Sequence, residues 1–378
     1  MAAQDFPDFF LGIPLGALVF AAGPLLTWVY ARSLGAVVVH ARIGWGPVVH
    51  RSAHALGLVE VREFPLTFRP AYLPRRETFG RDHRRIMGAA LAAPVLLAAV
   101  LAVFLPGPAD VTMGALVLVA VAYGASRVQP ASGRRCITRV LVATSAERDP
   151  QLYDPSCADI DHATYALGRG DVEAAAPSIG RLRADARRWA FGSVLIADAH
   201  EIRGEYTSAL ECLAPIAEDG PPAARLEHAR LWLLMAEVDP STSEKAVSDA
   251  RECLAGLPPS RTFRSARLRS VQALLRVTDG NPADARAYAA RQLANAHHTA
   301  TVADALCTRA RIEAASGRLE QAERTLRRAH EFAPWYARVA IVRGLLGVEA
   351  VATLGDRPMG APAPDRPDFD DPWSVTGR

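Results

Sequence analysis

Between Phe9 and Tyr30 the chain runs for 22 residues without a charged side chain, FFLGIPLGALVFAAGPLLTWVY. A helix rises about 1.5 Å per residue, so this run is long enough to cross the roughly 30 Å hydrocarbon core of a bilayer. A cleaved signal peptide is the rival reading. The leader MAAQDFPD, however, carries two aspartates and no lysine or arginine, and Trp28, Tyr30 and Arg32 follow where a small-residue cleavage site belongs. A first membrane span is therefore expected. Two further apolar stretches, Ile86–Leu105 and Val111–Val128, are separated only by PGPAD at Pro106 to Asp110, which predicts a tight membrane hairpin.

Arginine sets the expected orientation. Ten arginines from Arg32 to Arg85 lie between the first and second apolar runs, whereas the N-terminus and the hairpin loop have none. The positive-inside rule then puts the N-terminus outside and everything after Val128 in the cytoplasm, as a multi-pass protein of a bacterial inner membrane. Arg134, Arg135 and Arg139 agree. The net charge of +3 is mild and the basic residues cluster beside the membrane, so the membrane surface is the expected partner and nucleic acid is not. The five cysteines, Cys136, Cys157, Cys212, Cys253 and Cys307, lack CxxC spacing and are expected to be buried thiols in a reducing compartment.

From about Asp159 to Gly355 the chain becomes charged and alanine-rich, with apolar residues at three and four spacing and glycine or proline breaks every 12 to 18 residues. That pattern predicts amphipathic helices in short hairpins. Ala303 to Pro334 (ADALCTRARIEAASGRLEQAERTLRRAHEFAP) resembles a tetratricopeptide repeat, with Leu306, Ala310, the GRLEQA turn, Ala322 and the closing Pro334 in place. Ala197 and Ala209 keep the same twelve-residue interval around RGEYTSAL. LGRGDVEAA and DGNPADARAYAARQL supply comparable entries to a second helix, the latter with Asn281 and Asp284 as capping groups. About five hairpins over residues 159–355 are expected, stacked into a solenoid whose concave surface takes a protein or peptide partner. Residues 136–158 read as a linker. The tail 356–378, rich in proline and aspartate, reads as disordered.

His50 to Gly57 reads HRSAHALG. The two histidines have the spacing of the HExxH zinc helix, but Arg51 stands where that motif needs its glutamate. The surrounding pieces decide the matter. Ala31, Arg32, Leu34 and Gly35; Gly44, Trp45, Gly46 and Pro47; Leu58 to Leu66; and Arg84, Arg85 with Leu91 to Pro94 resemble, in order and spacing, the core of the site-2 protease family of intramembrane zinc metalloproteases. The resemblance covers roughly residues 1–135. It implies a three-span membrane domain with a small β-hairpin in the cytoplasmic loop 36–66.

The same register places the family's zinc helix on Gly23, Pro24, Leu25, Leu26 and Thr27, and its third ligand near Ser132. None of these positions carries a histidine, glutamate or aspartate, and Pro24 predicts a kink there. HRSAHALG falls instead in the loop between two strands. The expectation is a mainly α protein: a catalytically inactive, site-2-protease-like membrane core without metal or other cofactor, anchoring a cytoplasmic tetratricopeptide-like unit. An active enzyme with a rebuilt zinc site on His50 and His54, aided by His40 or His83, is one alternative. A membrane-tethered repeat adaptor with no inherited groove is the other.

Overall fold

The computed structural model describes residues 18–19, 22–54, 57–103, 155–185, 188–217, 222–256, 266–296 and 298–347. The third apolar run Val111–Val128, its loop, Ser132, Cys136 and the tail 356–378 lie outside them. The chain is mainly helical with a small sheet, and it forms two compact units that divide between Asp161 and His162.

In the first unit, α1 (residues 22–33) leads into β1 (Val37–His54), β2 (Gly57–Leu73) and α2 (Phe79–Ala102). The Ala31-Arg32-x-x-Gly35 step is the C-terminal cap of α1. Gly35 adopts φ 77°, its amide donates to the Arg32 carbonyl at 2.9 Å, and the Ala36 amide donates to Ala31 at 3.0 Å, a pairing that needs a left-handed residue. Among the described residues only α2 is long and apolar enough to cross a membrane. It starts at Phe79, seven residues before the expected Ile86, and so takes in the charged turn Arg81 to Arg85.

The strands run past the expected loop 36–66, with β2 continuing to Leu73. They pair antiparallel, from Val37 opposite Leu73 and again from His54 opposite Gly57. Residues 40–43 take part twice. They face 68–71 on one side and 58–61 on the other, and in the second set (His40–Leu58, Ala41–Val59, Arg42–Glu60, Ile43–Val61) both numbers rise together, which is a parallel relation. The chain can double back in this way because it bends at Gly44 and Gly46, both at positive φ (92° and 86°), where the sequence reads GWGP.

The second unit is a succession of helix pairs: α3 (Pro155–Gly168) and α4 (Val172–Ala184), α5 (Trp189–Arg203) and α6 (Tyr206–Ala217), α7 (Pro222–Val238) and α8 (Ser243–Ala255), α9 (Ala266–Thr278) and α10 (Pro282–Ala294), α11 (Thr299–Ala315) and α12 (Leu319–Phe332), then α13 (Ala337–Leu345). Four of the pairs share one turn. Gly170, Gly204, Gly280 and Gly317 sit at φ 73–80°, each donating to the carbonyl three residues back while the next amide reaches five back. Seven residues before each of these glycines lies a fully buried alanine, and twelve residues after that alanine lies another: Ala163 and Ala175, Ala197 and Ala209, Ala273 and Ala285, Ala310 and Ala322. A methyl side chain at both points lets the paired helices approach closely.

The α7–α8 pair departs from this pattern. Leu234 takes the alanine's place and Ser241 the glycine's, and a short 3-10 turn, Pro240–Thr242, capped by the Asp239 carboxylate, makes the connection. Asn281 caps α10 as expected, accepting from the Asp284 amide at 3.3 Å.

Candidate functional site

Two of the positions expected to correspond to a zinc helix, Gly23 and Thr27, lie in a packing seam. Val19, Gly23, Thr27 and Ala31, four residues apart, are all buried, while Leu18, Leu25, Leu26 and Val29 are about half exposed. The seam faces α2: a Cβ on Gly23 would come within 2.8 Å of Pro94 Cγ, Val19 clusters with Ala98, and Ala31 clusters with Ile86. Thr27 donates its hydroxyl to the Gly23 carbonyl at 3.0 Å, which removes its only strong polar group from the seam. The expected kink at Pro24 depends on the carbonyl of residue 20, which lies outside the described residues. Ser132 does as well.

His50 and His54 lie on β1, in an extended strand. At about 3.3 Å per residue, four residues separate them by about 13 Å, far beyond the reach of one zinc ion with bonds near 2 Å. His50 is exposed. His40 is buried, with Nε2 3.6 Å from Glu60, and His83 is buried on α2, stacked on Phe79. Among the described residues these histidines form no three-ligand group.

The pairing of the sheet explains a cluster that the sequence did not announce. Glu60 is fully buried, directly across from Arg42 on one side and Arg51 on the other. Arg51 Nε donates to it at 2.7 Å, Arg42 Nε at 3.0 Å and Arg62 Nη2 at 3.3 Å, while Arg62 Nη1 also bonds the Gly46 carbonyl at 2.7 Å. Burial alone would push this carboxyl up. The His40 contact and the guanidiniums of Arg51 and Arg42 outweigh it and hold the carboxyl far below the usual range.

A larger network occupies the interior of the second unit, on the first helix of successive pairs. Arg267 of α9 binds Asp198 of α5 at 2.5 Å and Glu227 of α7 at 2.8 Å. Arg230 of α7 binds Glu201 of α5 and, at 2.7 Å, Glu227. Asp304 of α11 accepts from Gln292 at 2.8 Å and from Arg338 at 2.5 Å. Arg338 also reaches Thr308 at 2.9 Å and Glu237 at 2.8 and 3.0 Å, and Arg311 reaches Glu237 at 3.1 Å. Tyr336 donates to Glu201.

Burial pushes the Glu201 carboxyl up to about 7; Arg230 opposes this, and Glu227 and Asp304 reinforce it. Glu227 moves the other way, because Arg230 and Arg267 overcome its burial. With Glu201 protonated, four carboxylates balance four guanidiniums.

Asp198, Glu201 and Glu227 bring their oxygens within 4.8 Å of one another, a spacing that suits a metal ion. Arg230 and Arg267 already supply the positive charge at those oxygens, so the donor set is filled by guanidinium and does not fit a divalent cation. Burial raises the Cys307 thiol well above its ordinary value, leaving it inert, and the other described cysteines, Cys157, Cys212 and Cys253, are half-buried rather than buried. No protein-family model and no curated protein sequence matches the chain.

Proposed function

We propose that this chain is a catalytically inactive membrane protein, in which a site-2-protease-like core anchors a cytoplasmic helical-repeat unit of tetratricopeptide type that binds a protein or peptide. The observation that carries the reading is the α1–α2 seam. Small side chains at Val19, Gly23, Thr27 and Ala31 face the partner helix, while leucines and valines face outward, the reverse of a water-soluble helix pair and the arrangement favoured in lipid. The packing of Gly23 and Thr27, two of the positions expected to correspond to zinc ligands, supports this reading. The recurring alanine interval and glycine turn support the repeat assignment.

Two measurements on the full-length protein test the proposal. Alkaline extraction of membranes is expected to leave the chain in the pellet, and metal analysis after purification in detergent is expected to find no stoichiometric zinc. Release into the supernatant refutes the anchor. Stoichiometric zinc that disappears in a His50→Ala, His54→Ala variant refutes the inactive core.

A further inference from the structure

The inner face of the repeat unit is not open. Helix α13 lies against α5, α7, α11 and α12, so the last described helix reaches back to the early pairs. Ala337 packs onto the turn after α5, where a Cβ on Gly204 would come within 2.9 Å of its methyl group, and Trp335 covers Gly170 in the turn between α3 and α4. Tyr336 and Arg338 are 2% and 0% exposed, and both direct their polar atoms into the acidic part of the network. Val339 and Val342 complete the buried side of the helix.

Charge shows what this segment supplies. Without Arg338, the four carboxylates of Asp198, Glu227, Glu237 and Asp304, with the Glu201 carboxyl among them, face three guanidiniums, those of Arg230, Arg267 and Arg311. The vacated surface is acidic, with two carboxylates, Glu237 and Asp304, that lose the arginine they share and keep one guanidinium each, Arg311 at 3.1 Å and Arg230 at 3.4 Å. A helix that only has to stay in place is held as well or better by apolar side chains, because buried ion pairs repay little of their desolvation cost; what they supply is discrimination among candidates for the site.

Building on the protein-binding role proposed above, we propose that the inner face of this unit is a groove for helical segments bearing an aromatic hydroxyl with an arginine two residues later, and that α13 occupies it as a tethered ligand. The matching partner carries Tyr-x-Arg followed by aliphatic residues at the third and sixth positions after the tyrosine, as Tyr336, Arg338, Val339 and Val342 do. A segment on the same chain competes at an effective concentration of about millimolar, so α13 keeps the groove closed to a weaker partner.

The test uses a fluorescent peptide of residues 334–347 and measures its anisotropy with three forms of the detergent-purified protein: the full chain, full-length Arg338→Ala, and a chain ending at Ala333. Saturable binding is expected to Arg338→Ala or to the shortened chain, at least tenfold tighter than to the full chain. It should fall at least tenfold when the peptide carries Tyr336→Phe with Arg338→Ala. Binding to neither variant, including the case in which the shortened chain loses its helical circular dichroism, overturns the proposal and makes α13 a fixed structural part. Equal binding of the altered peptide overturns the Tyr-x-Arg requirement. None of these readouts depends on zinc or on membrane extraction, so the groove and the inactive anchor stand or fall separately.

Discussion

Two buried glutamates respond to pH in opposite senses. Glu60, held low by His40 and its arginines against the cost of burial, contributes stability that is present above its ordinary value of 4.5 and is lost as the pH falls below it. Glu201, raised by burial to about 7, keeps a proton in the folded chain that the unfolded chain releases above 4.5. Its contribution is therefore greatest below 4.5, declines as the pH rises from 4.5 to 7, and is level above that. Hydrogen exchange corrected for intrinsic rates is expected to show β1–β2 loosening toward acid, while α5 and α7 loosen between pH 5 and 7. Glu201→Gln should flatten the second trend and leave the first. Neither residue was recognisable beforehand. Glu60 sits in VEVRE and Glu201 in AHEIRGE, and both strings read equally well as charges on a solvated face until the partner strands and helices are placed.

Among the elements, the pairing of α1 and α2 depends on a position with no side chain. Gly23→Val places methyl groups where Pro94 already stands, forcing the helices apart at a cost of about 1–3 kcal/mol. A lowered thermal midpoint of the detergent-purified protein, with Leu26→Val on the outward face as a nearly neutral control, checks this. The sequence showed that Gly23, Pro24 and Thr27 could not ligate metal; it did not show what they do instead, because a seam is a property of two helices. Helix hairpins were easier to read, since a buried alanine, a left-handed glycine and a second alanine fall at fixed intervals along one strand of sequence. The α7–α8 pair escaped that reading because Leu234 and Ser241 replace the marker residues and a 3-10 turn does the glycine's work. HRSAHALG was expected in the loop between the strands, whereas β1 continues through His54; a spacing of four brings two side chains together on a helix and separates them on a strand. The doubled use of residues 40–43 was invisible, since periodicity reports which face a strand buries and not how many neighbours it has.

At the scale of the whole molecule, the repeat unit differs from an open stack of helix pairs. Besides the contacts of α13, the Thr299 hydroxyl at the start of α11 donates to the Gly168 carbonyl at the end of α3, 131 residues away. Neighbouring helix pairs are joined in series, and this bond, with His298 packed on Gly168, joins the first described pair to the fifth. An open array with only nearest-neighbour contacts frays from its ends and unfolds piecemeal. A closed circuit has no end pair to lose first: freeing α3 also frees the start of α11. Native-state hydrogen exchange in rising denaturant is expected to merge α3–α4 and α11–α12 into one cooperative opening, and Thr299→Val should split it in two. Closure also sets a limit on growth. Among the described residues, a further helix pair inserted by tandem duplication between α4 and α11 would have to open this seam, so the closing contact sets a geometric limit on the number of pairs it can span.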